Sequence, residues 1–152
     1  MMSVNKICEC VLQFENRWEE KKIELDIDME ERIFVRADES LMELVWNNLM
    51  SNAIKFTDSC GHIRIQETST ESEITIKISD SGCGMSQETV RHIFDKFYQG
   101  DTSHATEGNG LGLALVYRIL QLSDASISVE SEENKGTTFV VTMAKAGKTG
   151  EE

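Results

Sequence analysis

The sequence predicts an α+β fold, a two-layer sandwich of a mostly antiparallel sheet with helices on one face. Two observations carry this. Apolar residues alternate with polar ones in several short segments, the period of a strand with one face packed and the other in water. Other segments repeat their apolar residues every three to four positions, the period of an amphipathic helix. The chain has 152 residues, 39% of them hydrophobic and 28% charged, with no proline. That is enough for one domain with a core. The reading takes 1–152 as a single domain, with the core at about 4–144.

Ile7, Val11, Phe14 and Trp18 recur at helical spacing, so 4–20 is predicted as one helix. Ile23, Leu25 and Ile27 alternate, then Ile33 and Val35, predicting two strands. A helix is predicted from about Glu39 to Thr57. "HIRIQETS" (62–69) and "SEITIKIS" (72–79) predict an antiparallel hairpin turning at "TSTES". "SQETVRHIF" predicts a short helix starting at Ser86, which sits in a capping-box pattern. Residues 95–109 have no periodicity and are predicted as a long loop, a length that points to function or disorder. "LGLALVYRILQL" predicts a helix, and "ASISVES" and "TTFVVTM" predict the strands that complete the sheet. The tail "AKAGKTGEE" has nothing to bury and is expected to be disordered.

Charge and cysteines narrow the function. A net charge of −12 argues against nucleic acid, whose phosphates need basic partners. An anionic ligand would need a local dipole, Lys55 or a divalent cation to attract it. Cys8, Cys10, Cys60 and Cys83 form no C-x-x-C pair, and no pattern implies a disulfide framework. Cys8 and Cys10, two apart on a helix, point about 160° from each other. No apolar run approaches the roughly 18 residues of a membrane span, and no signal peptide is read at the start. The expected compartment is cytoplasmic, with any membrane anchor outside this chain.

Three stretches combine glycine or amide chemistry with a helix or strand end. In "NNLMSNAIKF" (47–56), a wheel at about 100° per residue places Leu41, Val45, Leu49, Ala53 and Phe56 on one apolar arc. Asn52 lies inside that arc, and Asn48 and Lys55 lie beside it. An unpaired buried amide costs about 1–3 kcal/mol. These groups therefore either have protein partners or line a cavity that something polar fills. In "DSGCGM" (80–85), Asp80 leaves a strand at a turn with two glycines. It is either a local cap or an acceptor for an exocyclic amine such as that of adenine, where guanine would present a repelled carbonyl. In "GNGLGLALV" (108–116), a glycine-rich turn opens a helix. This offers free N–H groups and the positive dipole end to an anion, or simply a flexible helix start. A loop precedes it instead of a strand, so the dinucleotide-binding context is missing, and there is no P-loop signature.

Taken in order, "NLMSNAIKF", "DSGCGM", "IFDKFYQGD", "GNGLGL" and "GTTF" resemble the catalytic, ATP-binding domain of sensor histidine kinases, within the wider gyrase, chaperone and mismatch-repair ATPase superfamily. The resemblance covers about 4–144. It implies a mixed, mostly antiparallel five-stranded sheet with an ATP lid loop, and the cofactors ATP and Mg²⁺. Asn52 resembles the Mg²⁺-coordinating Asn, Asn48 the first Asn of that box, and Lys55 the phosphate-contacting Lys; these three are the catalytic candidates. Asp80 resembles the adenine-reading Asp, with Gly82 and Gly84 letting the backbone approach the base and Met85 following them. Phe94 and Phe97 resemble the aromatic pair at the lid base, and 98–109 the lid. Gly108, Gly110, Leu111 and Gly112 resemble its C-terminal hinge and phosphate cradle. Thr137 resembles the Thr that joins the Asp around an ordered water.

Hydrolytic members place a Glu one turn before the metal Asn, where this chain has Asn48, so phosphoryl transfer is favoured over hydrolysis. The phosphoacceptor is usually a His followed by Glu or Asp. His62, His92 and His104 are followed by Ile63, Ile93 and Ala105. The acceptor is therefore expected on a separate dimerisation domain, with a response regulator downstream, ATP and ADP as ligands, and the isolated domain a monomer. Gln99 stands where many relatives carry Arg, and the lid holds no Arg. "SDA" (123–125) stands where many carry H-G-G. A non-catalytic nucleotide-sensing or docking module and a stand-alone ATPase are the competing readings.

Overall fold

The computed structural model describes residues 2–3, 6–29, 34–35, 38–95 and 112–145. In chain order the elements are β1 (Met2–Ser3), α1 (Lys6–Leu12), α2 (Glu15–Glu20), β2 (Glu24–Asp28), β3 (Phe34–Val35) and α3 (Glu39–Phe56). There follow β4 (His62–Ser69), β5 (Glu73–Asp80), α4 (Gln87–His92), α5 (Gly112–Leu122), β6 (Ser126–Glu132) and β7 (Gly136–Ala144). Five strands form one sheet in the order β2-β4-β5-β7-β6. Only the β2–β4 pair is parallel. The other three pairs are antiparallel. Parallel neighbours need a long crossover, and α3 lies in it.

The hairpin forms where the alternation predicts it. Ile63, Ile65, Ile74, Ile76 and Ile78 are buried and their sequence neighbours are not. Thr70 closes the turn: its N–H donates to Glu73 O at 2.9 Å, and its Oγ1 accepts from the N–H groups of Ser72 and Glu73 at 3.3 and 3.1 Å. Phe139, Val141 and Met143 of β7 extend the buried face. The opposite face is polar, with Thr138 donating to Ser79 Oγ at 3.0 Å. The first residues of α3 and α4 are capped as helix chemistry requires. The Asp38 carboxylate accepts from Leu41 N–H, and Ser86 Oγ accepts from Thr89 N–H.

Three expectations change. The single helix over 4–20 is two, because i→i−3 bonds from Gln13 N–H to Cys10 O and from Phe14 N–H to Val11 O tighten the chain between α1 and α2. The second strand, β3, joins a separate two-stranded antiparallel sheet with β1 instead of the main sheet. The buried face of α3 comprises Met42, Val45, Trp46, Leu49, Met50, Ala53 and Ile54. Leu41 and Phe56 are only half-buried. The core arc is thus rotated toward Met42, Trp46 and Met50, and Asn52 sits on its flank instead of inside it. The large Trp46 and the methionines fill the space over the β4–β5 isoleucines, the larger apolar volume winning the interior.

Candidate functional site

The C-terminal half of α3 forms one wall. Asn48, Asn52 and Lys55 descend one flank at i, i+4 and i+7, so they share a face. Asn48 is tied down: its Nδ2 donates to Leu44 O at 2.7 Å. That bond turns Oδ1 toward the first residue of α5, where a Cβ added to Gly112 would stand only 2.7 Å from it. Gly112 thus lets α5 start against Asn48. Asn52 is half-buried, and among the described residues its amide takes no partner. Lys55 carries its ammonium 5.2 Å from the Phe56 ring centroid. Of the two alternatives for these polar groups, Asn48 fits the first, a protein partner.

The end of α3 is a junction. Lys21, just beyond α2, donates from Nζ to Ile54 O at 2.8 Å, Lys55 O at 3.4 Å and Thr57 O at 2.7 Å. One ammonium therefore gathers three carbonyls at the helix end, one of which, Ile54 O, also accepts from Thr57 N–H at 3.4 Å, and lies at the negative end of the helix dipole. Phe56 O accepts from Cys83 N–H at 3.2 Å, which joins α3 to the turn after β5. A Cβ on Gly82 would strike the same Phe56 carbonyl, so the close approach of turn to helix demands glycine there. Gly84 has φ +69°, and a Cβ on it would meet the Glu132 carbonyl. These glycines thus have a reason within the fold, backbone against backbone.

Asp80 ends β5 beside this turn. Its Oδ1 accepts from Gly82 N–H at 2.8 Å, and Thr137 N–H also donates to it. Burial nonetheless raises its pKa to about 6, because removal from water penalises the charged form more than the two amides favour it. Asp80, Thr137 and Ser131 are cross-strand partners in one row over β5, β7 and β6. Thr137 is 8% exposed. Ser131 Oγ accepts from Met85 N–H at 2.8 Å and contacts Gly136 O at 3.1 Å and Thr137 Oγ1 at 2.8 Å. Gly136 has φ +111° and passes over the Asp80 carbonyl, where a Cβ would collide.

Phe94 packs on the core wall, its ring centroid 5.3 Å from that of Tyr117 and 6.5 Å from that of Phe139. Phe97, Gly108, Gly110 and Leu111, like the lid at 98–109 and His104, lie outside the described residues. His62 and His92 are exposed and face Glu24 at 3.2 Å and Asp95 at 2.9 Å. Among the described residues no three His, Cys, Asp or Glu side chains cluster as a metal site. Sequence reasoning missed Lys21 and Ser131. A lysine before a strand and a serine inside one carry no local signal: the Lys21 partners lie 33–36 positions away, and the Ser131 contacts, from 5 to 46 positions away, depend on how β6, β7 and the 80–85 turn meet.

Residues 37–147 match the family described as histidine kinase-, DNA gyrase B-, and HSP90-like ATPase. The heme sensor protein HssS of Staphylococcus saprophyticus is 40% identical over 78% of this chain and 25% of its own length. The sensor histidine kinase YclK of Bacillus subtilis is 32% identical over 86% of this chain and 28% of its own. The chain therefore spans about a quarter of the length of the curated relatives it matches. The nucleotide-free catalytic domain of histidine kinase ThkA superposes with a TM-score of 0.82 at 27% identity, covering 95% of this chain and 97% of that one. The chain belongs to the histidine kinase-, DNA gyrase B- and HSP90-like ATPase family, and within it is a histidine-kinase ATP-binding domain.

Proposed function

We propose that this domain binds Mg²⁺-ATP between α3, the 80–85 turn, the start of α5 and the start of β7, and presents the γ-phosphoryl group to a histidine on a dimerisation domain outside this chain. The observation that carries the reading is Asp80, a half-buried carboxylate held by two backbone amides at the end of β5. Ionised, it only accepts, so it selects a base with an exocyclic amine. Gly82, Gly84 and Met85 form the turn beside that base, and Thr137 adds a hydroxyl next to Asp80. Asn48, Asn52 and Lys55 line the phosphate side, with Gly108, Gly110, Leu111 and Gly112 leading into α5 and Phe97 at the lid base.

The residues fit Mg²⁺ as a partner of the nucleotide. Mg²⁺ takes hard oxygen ligands and retains waters, with phosphates supplying much of its shell, and the Asn52 amide, which takes no partner among the described residues, provides one such oxygen without adding charge to an acidic protein. When bound, Mg²⁺ neutralises phosphate charge. Asn48, clamped to Leu44 O, is an amide where a hydrolase needs a base, which favours transfer over hydrolysis. Lys55 offsets negative charge as it develops on the phosphates.

Thermal-shift titration with ATP, ADP and GTP, each with and without Mg²⁺, tests the pocket. A ligand at about 100 times its Kd stabilises by about 2.7 kcal/mol. Adenine nucleotides are expected to shift the melt and GTP is not; no shift with any of them removes the reading. Mixing the domain with a dimerisation domain bearing its histidine tests transfer. Labelled phosphate is expected on that histidine and, with a response regulator added, downstream. Binding without transfer would leave a nucleotide-sensing module.

A further inference from the structure

We infer that Ser131 is a specificity-determining positioning residue: it takes the only proton of the Thr137 hydroxyl and so makes Thr137 a pure acceptor beside Asp80. The inference rests on the nucleotide reading of the pocket.

The number of protons available fixes the direction of each bond. A serine hydroxyl has one proton and two lone pairs. Ser131 Oγ has three neighbours: Met85 N–H at 2.8 Å, Gly136 O at 3.1 Å and Thr137 Oγ1 at 2.8 Å. The amide donates only, so it uses one lone pair. The carbonyl accepts only, so it requires the serine proton. Both hydroxyls can donate in the third contact, but Ser131 has no second proton. The arrangement that satisfies all three contacts therefore has Thr137 donating to Ser131. The opposite choice sets two oxygens lone pair against lone pair at 3.1 Å.

With its proton committed, Thr137 Oγ1 offers only lone pairs to whatever stands before it. The ionised Asp80 carboxylate does the same, and the two are cross-strand partners, close enough on one face to act together. The row Asp80–Thr137–Ser131 thus presents two acceptors side by side. It fits a ligand edge that donates, directly or through a water, and disfavours one that presents a carbonyl. Ser131 also holds Met85 N–H, so the same hydroxyl anchors the glycine turn and sets the polarity of the reader.

Mg²⁺-ATP and Mg²⁺-ITP differ at this edge, an amine against a carbonyl, and their Kd ratio is the readout. Wild type is expected to prefer ATP. Ser131→Ala, which frees the Thr137 proton to point at the base, is expected to shrink the ratio by roughly fivefold, the value of one neutral hydrogen bond. Ser131→Thr, which keeps the hydroxyl, is expected to restore it. Thr137→Val, tested alongside, is expected to shrink the ratio without touching the Met85 anchor. An unchanged ratio in the Ser131→Ala protein, whatever Thr137→Val does, including equal losses for the two nucleotides, overturns the inference alone. Equal binding of ATP and ITP by wild type overturns the nucleotide reading and the inference with it.

Discussion

Replacing Asp80 by asparagine is expected to stabilise the free protein while removing its nucleotide preference. The carboxylate titrates at about 6 in the fold against 3.8 in an unstructured chain. The folded state therefore binds the proton more tightly than the unfolded state. The stability this supplies is fully present below pH 3.8 and is lost as pH rises through 6, leaving a net cost at neutral pH. At about 1.36 kcal/mol per tenfold change in proton affinity, the rise from 3.8 to about 6 puts that cost at about 3 kcal/mol. Asn carries no charge, so it avoids the cost, and its side-chain oxygen still accepts from Gly82 N–H. At about 2–4 °C per kcal/mol for a domain of this size, the Asp80→Asn protein should melt several degrees above wild type at pH 7.5. The gap should close toward pH 4.5, where the wild-type carboxyl is protonated. Calorimetric melts of both proteins across that range, without nucleotide, provide the assay. Isothermal titration with Mg²⁺-ATP should show binding lost in the variant and, in wild type, weakening as pH falls through 6. A variant melting at or below wild type at pH 7.5, or a gap that ignores pH, would refute the assignment of a desolvated carboxylate to Asp80.

Three other substitutions separate function from fold. Asn52→Ala removes an amide that takes no partner among the described residues, so chemical denaturation should move by no more than about 0.5 kcal/mol, while Mg²⁺-ATP affinity measured by titration falls at least tenfold. Lys21→Met leaves the carbonyls of Ile54 and Thr57 without their charged donor and should cost about 1.5–3 kcal/mol in urea unfolding, with Lys21→Arg recovering part of it. Gly136→Ala places a Cβ against the Asp80 carbonyl at φ +111°; it should destabilise by at least ~2 kcal/mol in the same assay, and an unaffected midpoint would mean the strand end can move aside.

The local periods of this chain were enough to read the hairpin of β4 and β5, the helices α3 and α5, the Ser86 cap and the shared helix face of Asn48, Asn52 and Lys55, but not that Asn52 stands on the flank of the core arc. Each rests on residues a few positions apart, and backbone geometry alone converts such spacing into a face. The motifs in order identified the family, which the match over 37–147 bears out. What the spacing did not determine is everything that joins distant segments. The parallel pairing of β2 with β4, the placement of β3 outside the main sheet and the rotation of the α3 core face toward Trp46 depend on which surfaces meet. So do the Lys21 clamp, the Ser131 row and the carbonyls that forbid a side chain at Gly82, Gly84 and Gly136. Asp80 shows the division most plainly. Its identity and its place at a strand end are written in the chain, but its titration near 6 arises only when β7 and the glycine turn exclude water around it. Desolvation is a property of packed neighbours, and no single stretch of sequence contains it.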